Sequence, residues 1–417
     1  MRILVLGSGA REHAIITSLL SETPIDGNAH EIVAAPGNAG IAQVVAVVAL
    51  DPTRGDVVTK YALDNAIELV IIGPEAPLVA GVADALRRRH IPVFGPNKAA
   101  AALEGSKTFA KRVMDVAGVP TGNAARVATI DEAIAAIDEY GSPYVIKADG
   151  LAAGKGVLVT EDRTAAVAHA AFWLGQGSVL VEEFLDGQEV SLFLVSDGET
   201  VVALSPAQDY KRVFDGDLGP NTGGMGAYSP LPWLPRGFVD EVISTVALPT
   251  VRQLSAENTP FIGLLYCGLI LTKHGIRVIE FNARFGDPEA QVVLPRLITP
   301  LSGLLFAAAT GALAEHPKPE FSDQVAVTVV LASEGYPDDP VVGRPIGGLD
   351  EIHDVTVAHA ATALVDGEFI ATGGRVLSVM ALGADFADAR ARVYAALNSI
   401  TLDGGQYRTD IAARVVP

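Results

Sequence analysis

Residues 2–13, R-I-L-V-L-G-S-G-A-R-E-H, restrict the fold of this chain more than any other stretch. Four consecutive apolar residues, Ile3 to Leu6, read as a strand buried on both faces; Gly7 and Gly9 supply a turn, and a helix begins near Arg11. This is how a mononucleotide-binding sheet begins, with free N–H groups at the helix N-terminus able to hold an anion. Further short apolar strands follow at Glu31–Ala35, Leu69–Ile72 and Ile91–Phe94, and each ends in a loop: P-G-N-A-G from Pro36, G-P-E-A-P-L from Gly73, and Gly95-Pro96. Ligands collect beyond the carboxyl ends of strands in an open parallel sheet, so the three loops are expected on one rim, with Asn38 and Glu75 among its polar groups. A dinucleotide site is excluded on two counts. Glu12 stands where the third glycine of G-x-G-x-x-G belongs, and the second strand ends in Pro36-Gly37 without the acidic residue that grips a ribose. The glycines still admit a smaller phosphate ester.

At 417 residues the chain exceeds what one hydrophobic core supports, so several domains are expected. A formal charge of −19 argues against nucleic acid as a partner, and any anionic ligand has to be met by a local cluster of cations. No apolar run reaches membrane-spanning length, and Cys267, the only cysteine, lies in an apolar run and reads as core. These features describe a cytoplasmic protein.

Cations and glycines concentrate in V-I-K-A-D-G-L-A-A-G-K-G, where strands Tyr144–Ala148 and Gly156–Thr160 flank a loop containing Gly150 and Gly154. Glycines let backbone N–H groups approach a polyphosphate, and Lys147 and Lys155 add mobile positive charge. A Walker A sequence is absent. Lys107 falls in the first turn of a helix starting near Ser106, a position unfavourable to the helix dipole unless the lysine faces an anion. A strand into Glu182, Glu183, Phe184 and Leu185, a turn at Asp186-Gly187 and a strand from Glu189 suit an adenine ring and ribose hydroxyls; taken alone, they are better described as surface carboxylates on an ordinary β-meander. In G-I-R-V-I-E-F-N-A-R-F-G-D-P-E, strand alternation predicts Val278, Glu280 and Asn282 on one face. Adjacent hard oxygens suit magnesium, although an edge strand with two solvated polar residues accounts for E-F-N as well. Arg284, Asp287 and Glu289 follow in a loop. Residues Asp209 to Tyr228 read as a long polar loop of functional character. From Phe321 onward, strands Val325–Leu331 and Arg375–Ala381 and a helix Phe386–Ile400 form a small α/β domain, whose Arg375 brings one charge to the central site. His359 reads as structural, because no second ligand sits at metal spacing.

In collinear order these motifs resemble the ATP-grasp enzymes and, within them, the glycinamide ribonucleotide synthetase (phosphoribosylamine–glycine ligase) family. The resemblance runs from G-S-G-A-R-E-H-A at Gly7 through E-G-S-K, E-E-F-L-D-G, Q-D-Y-K-R and G-P-N-T-G-G-M-G-A-Y to G-G-R-V-L near Leu377. It implies an N-terminal mononucleotide-binding-like α/β domain over 1–102, a two-part ATP-grasp domain over 103–320 with a lid at about 121–188, and a C-terminal domain over 321–417. The implied reaction joins glycine to 5-phosphoribosylamine through glycyl phosphate, releasing ADP and phosphate in purine synthesis; the alternative is another ATP-grasp carboxylate–amine ligase or a carboxylase.

Carried over by position, Lys107, Lys147, Gly154, Lys155 and Gly156 would meet ATP phosphates, Glu182 to Leu185 the adenine, and Glu189 the ribose. Glu280 and Asn282 would hold Mg2+ or Mn2+. Gly9, Asn38 and Glu75 fall where phosphoribosylamine is expected, with Lys211 and Arg375 also assigned to substrate. Asp209, Arg284, Asp287 and Glu289 would line the reaction centre, with Arg284, Lys155 and Asp209 catalytic. No nucleic acid or membrane partner is implied, and the expected state is a monomer or small homo-oligomer. The sequence departs from the family pattern at Ala10, Tyr210 and Ala361, which stand where glycine, histidine and glycine are usual. Gly268 to Thr272 also lacks the acidic metal ligand found in many relatives, implying a sparser metal shell.

Overall fold

The computed structural model describes residues 1–22, 29–150 and 156–416; Gly154 and Lys155 lie outside them. Strands β1 (Arg2–Gly7), β2 (Glu31–Pro36), β3 (Ala46–Val47), β4 (Leu69–Ile72) and β5 (Val93–Phe94) form a parallel sheet in the order β3-β2-β1-β4-β5. Ile3, Leu4, Val5 and Leu6 are all completely buried, which is why β1 reads as an unbroken apolar run rather than an alternation. The last strand is shorter than expected from Ile91–Phe94: Pro92 has no N–H to give the ladder, and only its carbonyl bonds to Val70. Gly37 N–H donates to Gly7 O and Gly73 N–H to Leu6 O, so the loops after β2 and β4 flank the end of β1 on one rim. The Gly95-Pro96 loop turns instead onto the middle of the chain, where a side chain at Gly263 would meet Pro96 at 2.9 Å.

Helices α1 (Ala10–Ser21) and α2 (Lys107–Ala117) follow β1 and precede the next sheet. There β6 (Ala124–Val127), β7 (Tyr144–Ala148), β8 (Val157–Thr160) and β9 (Val179–Glu182) pair antiparallel in the order β6-β9-β7-β8. Helix Ile130–Tyr140 opens with a capping box between Thr129 and Glu132. It packs with helix Arg163–Leu174 on this sheet, enclosing a separate core that includes Val127, Ile137, Ile146, Ala166 and Val179.

Further on lie β10 (Gln188–Asp197), β11 (Val201–Ala203), the short strands β12 (Gln208–Asp209), β13 (Arg212–Phe214), β14 (Leu218–Asn221) and β15 (Gly226–Ser229), and the long hairpin β16 (Ile262–Thr272) and β17 (Gly275–Asn282). The stretch Asp209–Tyr228 is therefore not the long loop expected from its composition. Gly226 sits where backbones crowd: a side chain there would come within 2.7 Å of Thr328 O. Moreover, β12 and β15 join Val325–Ala332, Arg375–Gly383 and Thr356–His359 in one five-stranded sheet. That sheet crosses the boundary expected at 320/321, and helix Phe386–Ser399 packs upon it.

A second sheet runs β11-β10-β16-β17. Gly268 pairs with Glu280 and Leu269 with Val278, so Ile279 is an extra residue, a β-bulge on the edge strand. The bulge resets the alternation, correcting the expected face of Val278. Val278 and Phe281 are buried in the core, at 0% and 3% exposure, while Glu280 and Asn282 look outward into a cavity.

Candidate active site

The outward face of β17 forms one wall of a cavity of about 590 Å³. Its other walls come from Arg11 and Glu75, which follow strands β1 and β4 of the parallel sheet, from α2, from β7 and β9, and from the segment around Asp209 to Gly223.

One end is cationic. Ser106 Oγ caps α2 by accepting from Phe109 N–H, and Asp149 accepts from Thr108 Oγ1 at 2.6 Å, which fixes the first turn. Lys107 and Lys111, four residues apart on this helix, therefore share a face toward the cavity. Lys107 Nζ donates to Gly150 O at 3.2 Å. Lys147, nearly buried on β7, places Nζ 2.7 Å from Glu182 Oε2 and donates at 3.3 Å to the bulge carbonyl of Ile279. Lys111 approaches the other oxygen of Glu182 at 3.5 Å. Burial lowers the pKa of Lys107 against the pull of Glu280, and lowers that of Lys111 against Glu182. Burial also works against ionisation of Glu280, but Lys211, Lys147 and Lys107 outweigh it and hold the carboxylate below its ordinary range.

The opposite end is acidic. The Asp209 carboxyl is pushed up to about 7 by burial, aided by Glu289 and opposed by Lys211. Lys211 Nζ is 2.8 Å from Glu189 Oε2. Glu289, 3% exposed, accepts from Tyr266 OH and from Ser191 Oγ. Arg284 lies 2.8 Å from Glu104 and 3.6 Å from Glu75, and donates to Asn282 Oδ1. Burial opposes its charge, yet Glu104 and Glu75 hold the guanidinium above its usual pKa. Glu104 is so enclosed that burial raises its own pKa despite Arg284. Asp287 Oδ2 is 3.1 Å from Arg375 Nη2, and its other oxygen accepts from Gln291.

The cavity thus gathers Lys107, Lys147, Gly156, Glu182, Asp209, Lys211, Glu280, Asn282, Arg284, Asp287, Glu289, Glu75 and Arg375. Other expected residues stand apart from its walls. Asn38 gives its amide N–H groups to Ser8 O, His359 O and Ala360 O and accepts from Ile41 N–H, clasping the rim to the C-terminal segment. Glu183 is bonded to Asn123, Phe184 is 43% exposed, and neither they nor Leu185 wall the cavity, because β9 ends at Glu182. Glu189 is engaged with Lys211. Gly9 sits at the head of α1, and its N–H donates to Glu12 at 2.6 Å.

That contact corrects the idea of a ligand phosphate in the glycine turn. The Glu12 side chain fills it: a Cβ at Gly7 would meet Glu12 Cγ at 2.5 Å, and one at Gly73 would meet Glu12 Oε1 at 2.1 Å. Lys111, Glu104, Arg11 and Tyr266 line the cavity but were not singled out from the sequence. Lys111 carried a usable signal, its spacing of four from Lys107; Glu104 and Tyr266 become visible only when distant segments meet.

Models for three successive domains of phosphoribosylglycinamide synthetase match the chain: the N domain at residues 1–104, the ATP-grasp (A) domain at 105–290 and the C domain at 326–414. The chain belongs to the phosphoribosylglycinamide synthetase family. A phosphoribosylamine–glycine ligase of Leifsonia xyli subsp. xyli is 73% identical over 420 residues, covering 99% of this chain and 100% of the relative. One from Streptomyces coelicolor is 56% identical, covering 99% of each. The crystal structure of phosphoribosylamine–glycine ligase from Thermotoga maritima superposes with a TM-score of 0.83 at 33% identity, covering 98% of this chain and 100% of that one.

Two of the family departures have local explanations. Tyr210 points away from Asp209: its hydroxyl accepts from Ala412 N–H and Arg408 stacks on its ring. Ala361 lies where a Cβ on Gly373 would approach it at 2.8 Å, so the small residue at 373 accommodates the larger one at 361. His359 bonds Thr362 and its N–H donates to His13, a buried structural role. No helix among the described residues is long and apolar enough to cross a membrane.

Proposed function

We propose that this cavity joins glycine to 5-phosphoribosylamine at the expense of ATP. The glycine carboxylate attacks the γ-phosphorus and ADP leaves; the amine then attacks the acyl carbon, forming the amide and expelling phosphate. The observation that carries this reading is one cavity walled both by the lysines Lys107, Lys111 and Lys147 and by Asp209, Arg284 and Glu289. Phosphoryl transfer depends on positioning and on neutralising spreading negative charge more than on covalent help, which suits a site dominated by Lys107, Lys147 and Arg284. In this reading Lys155 adds to that charge, the Glu182–Leu185 stretch and Glu189 receive adenosine, and Arg284 acts between the γ-phosphate and the glycine carboxylate. Asp209 is matched to accept the proton that the amine loses as the C–N bond forms. Glu75, Lys211, Asp287, Glu289 and Arg375 remain assigned to substrate, whereas Gly9, whose N–H is given to Glu12, does not. Asn38 leaves that set, because its amide is committed to holding the backbone.

Glu280 and Asn282 offer adjacent hard oxygens to the cavity, and Gly268 opposite Glu280 has no side chain to compete. Among the described residues no group of three or more His, Cys, Asp or Glu side chains is disposed to hold a metal. A donor pair of this kind fits an ion that takes its remaining ligands from water and nucleotide phosphates. Mg2+ or Mn2+ bound there would neutralise phosphate charge. Glu280→Gln should raise the Mg2+ concentration for half-maximal activity by about tenfold or more.

The deciding experiment is a coupled assay for ADP with ATP, glycine and freshly generated phosphoribosylamine, each omitted in turn. Release that needs all three supports the ligase; release indifferent to glycine would indicate a carboxylase instead.

A further inference from the structure

Helix α1 begins where a mononucleotide fold would seat a ligand's phosphate, yet the chain's own Glu12 takes that seat. Glu12 is 1% exposed, with Oε2 accepting from Gly9 N–H and its carbons lying against Gly7 and Gly73. Its other oxygen accepts from Arg11 Nε at 2.6 Å, and Arg11 Nη1 donates to Phe285 O at 3.2 Å. Two anchors on opposite sides fix the plane of the guanidinium. Nη2 makes no hydrogen bond among the described residues, and Arg11 walls the same cavity as Glu75 and Asp287.

We propose that Arg11 binds the phosphate of the sugar-phosphate substrate and that Glu12, seated in the glycine turn, is the residue that positions it. This deepens the ligase reading and rests on it. With the seat at the head of α1 filled by a carboxylate, an incoming phosphate is displaced outward, and Arg11 is the cation in the first turn of that helix. A planar guanidinium held by two of its nitrogens presents its remaining edge in one orientation, which suits recognition of a phosphate oxygen. The Phe285 carbonyl lies between Arg284 and Asp287, so the same guanidinium registers the sugar end of the cavity against the reaction loop. The glycines at 7, 9 and 73 are thus explained by an internal anion: any side chain at 7 or 73 would collide with Glu12.

The test uses the full-length enzyme, kinetics with phosphoribosylamine, and ribose 5-phosphate as a stable competitive probe. Arg11→Met should raise the KM for phosphoribosylamine about tenfold or more, weaken ribose 5-phosphate inhibition in parallel, and leave the KM for ATP within about twofold. Glu12→Ala should give the same split, recover in part on adding acetate, and add nothing to Arg11→Met in the double variant. Should Glu12→Ala fail to fold, Glu12→Gln preserves the volume while removing the charge, and it should show the same split. The proposal is overturned if Arg11→Met leaves ribose 5-phosphate inhibition unchanged, if the double variant's losses add, or if the Glu12 variants shift both KM values together. A wild-type enzyme that releases no ADP in response to glycine and phosphoribosylamine would instead remove the ligase reading beneath it.

Discussion

The two ends of the cavity are built by different strategies. At the lysine end most of the chemistry comes from regular elements that pack side by side: Lys107 and Lys111 on one helix face, Lys147 and Glu182 on adjoining strands. At the acidic end Asp209, the loop bearing Arg284 and Glu289, and Glu104 come from three separate segments, and Arg284 and Glu289 take partners from distant ones. The difference teaches that binding a triphosphate needs mainly a dense positive field, which a helix and a hairpin supply locally. Setting protonation near neutrality needs burial, which only the assembled molecule supplies.

Substitutions can break this contrast in graded fashion. The largest effect should come from Arg284→Met, which removes the charge facing the transferred group and leaves Glu104 unpaired. Turnover should fall about 100-fold or more with little change in the KM for ATP, measured by ADP release. Lys147→Met should act at the other end, raising the KM for ATP by roughly 10- to 100-fold through loss of a charged contact while kcat falls less.

A smaller effect should appear in the pH dependence of stability. Asp209, pushed up to about 7, keeps its proton in the folded protein while the unfolded chain loses it at the ordinary value of 3.8. The folded state therefore binds more protons between roughly pH 4 and 7, stability falls as pH rises through that window, and the loss persists above it. Asp209→Asn should flatten that slope in denaturant unfolding across pH. The smallest kinetic effect belongs to Asn38→Ala, which breaks a clasp rather than a substrate contact. It should cost about 1–3 kcal/mol of stability and leave every KM within about twofold.

Local patterns were the legible part of this molecule. The apolar run at Leu69–Ile72 and the boundaries of Tyr144–Ala148 follow from hydrophobicity and flanking glycines, and both strands occupy those residues. The lysines stood out because charge inside an apolar strand or a helix's first turn demands a reason. What stayed hidden depends on partners distant in the chain. The bulge at Ile279 exists because Gly268 and Leu269 pair across it, and nothing in I-R-V-I-E-F-N announces the shift. Asn38 looked like a rim ligand because its partners, His359 O and Ala360 O, lie more than 300 residues away, with one separation of 321. Phe184 stands off the cavity wall because the end of β9 at Glu182 is set by pairing with β6 and β7, not by its own residues.

The sheet that recruits β12 and β15 across the expected boundary bears on how this protein can be divided. A gene fragment starting at 321 would leave Val325–Ala332 with one side of its backbone unpaired, and a fragment ending at 320 would strip β15 of the neighbour it needs. Both truncations expose a raw strand edge of the kind that seeds aggregation. Soluble halves are therefore expected only when the two pieces are co-expressed and meet before either precipitates.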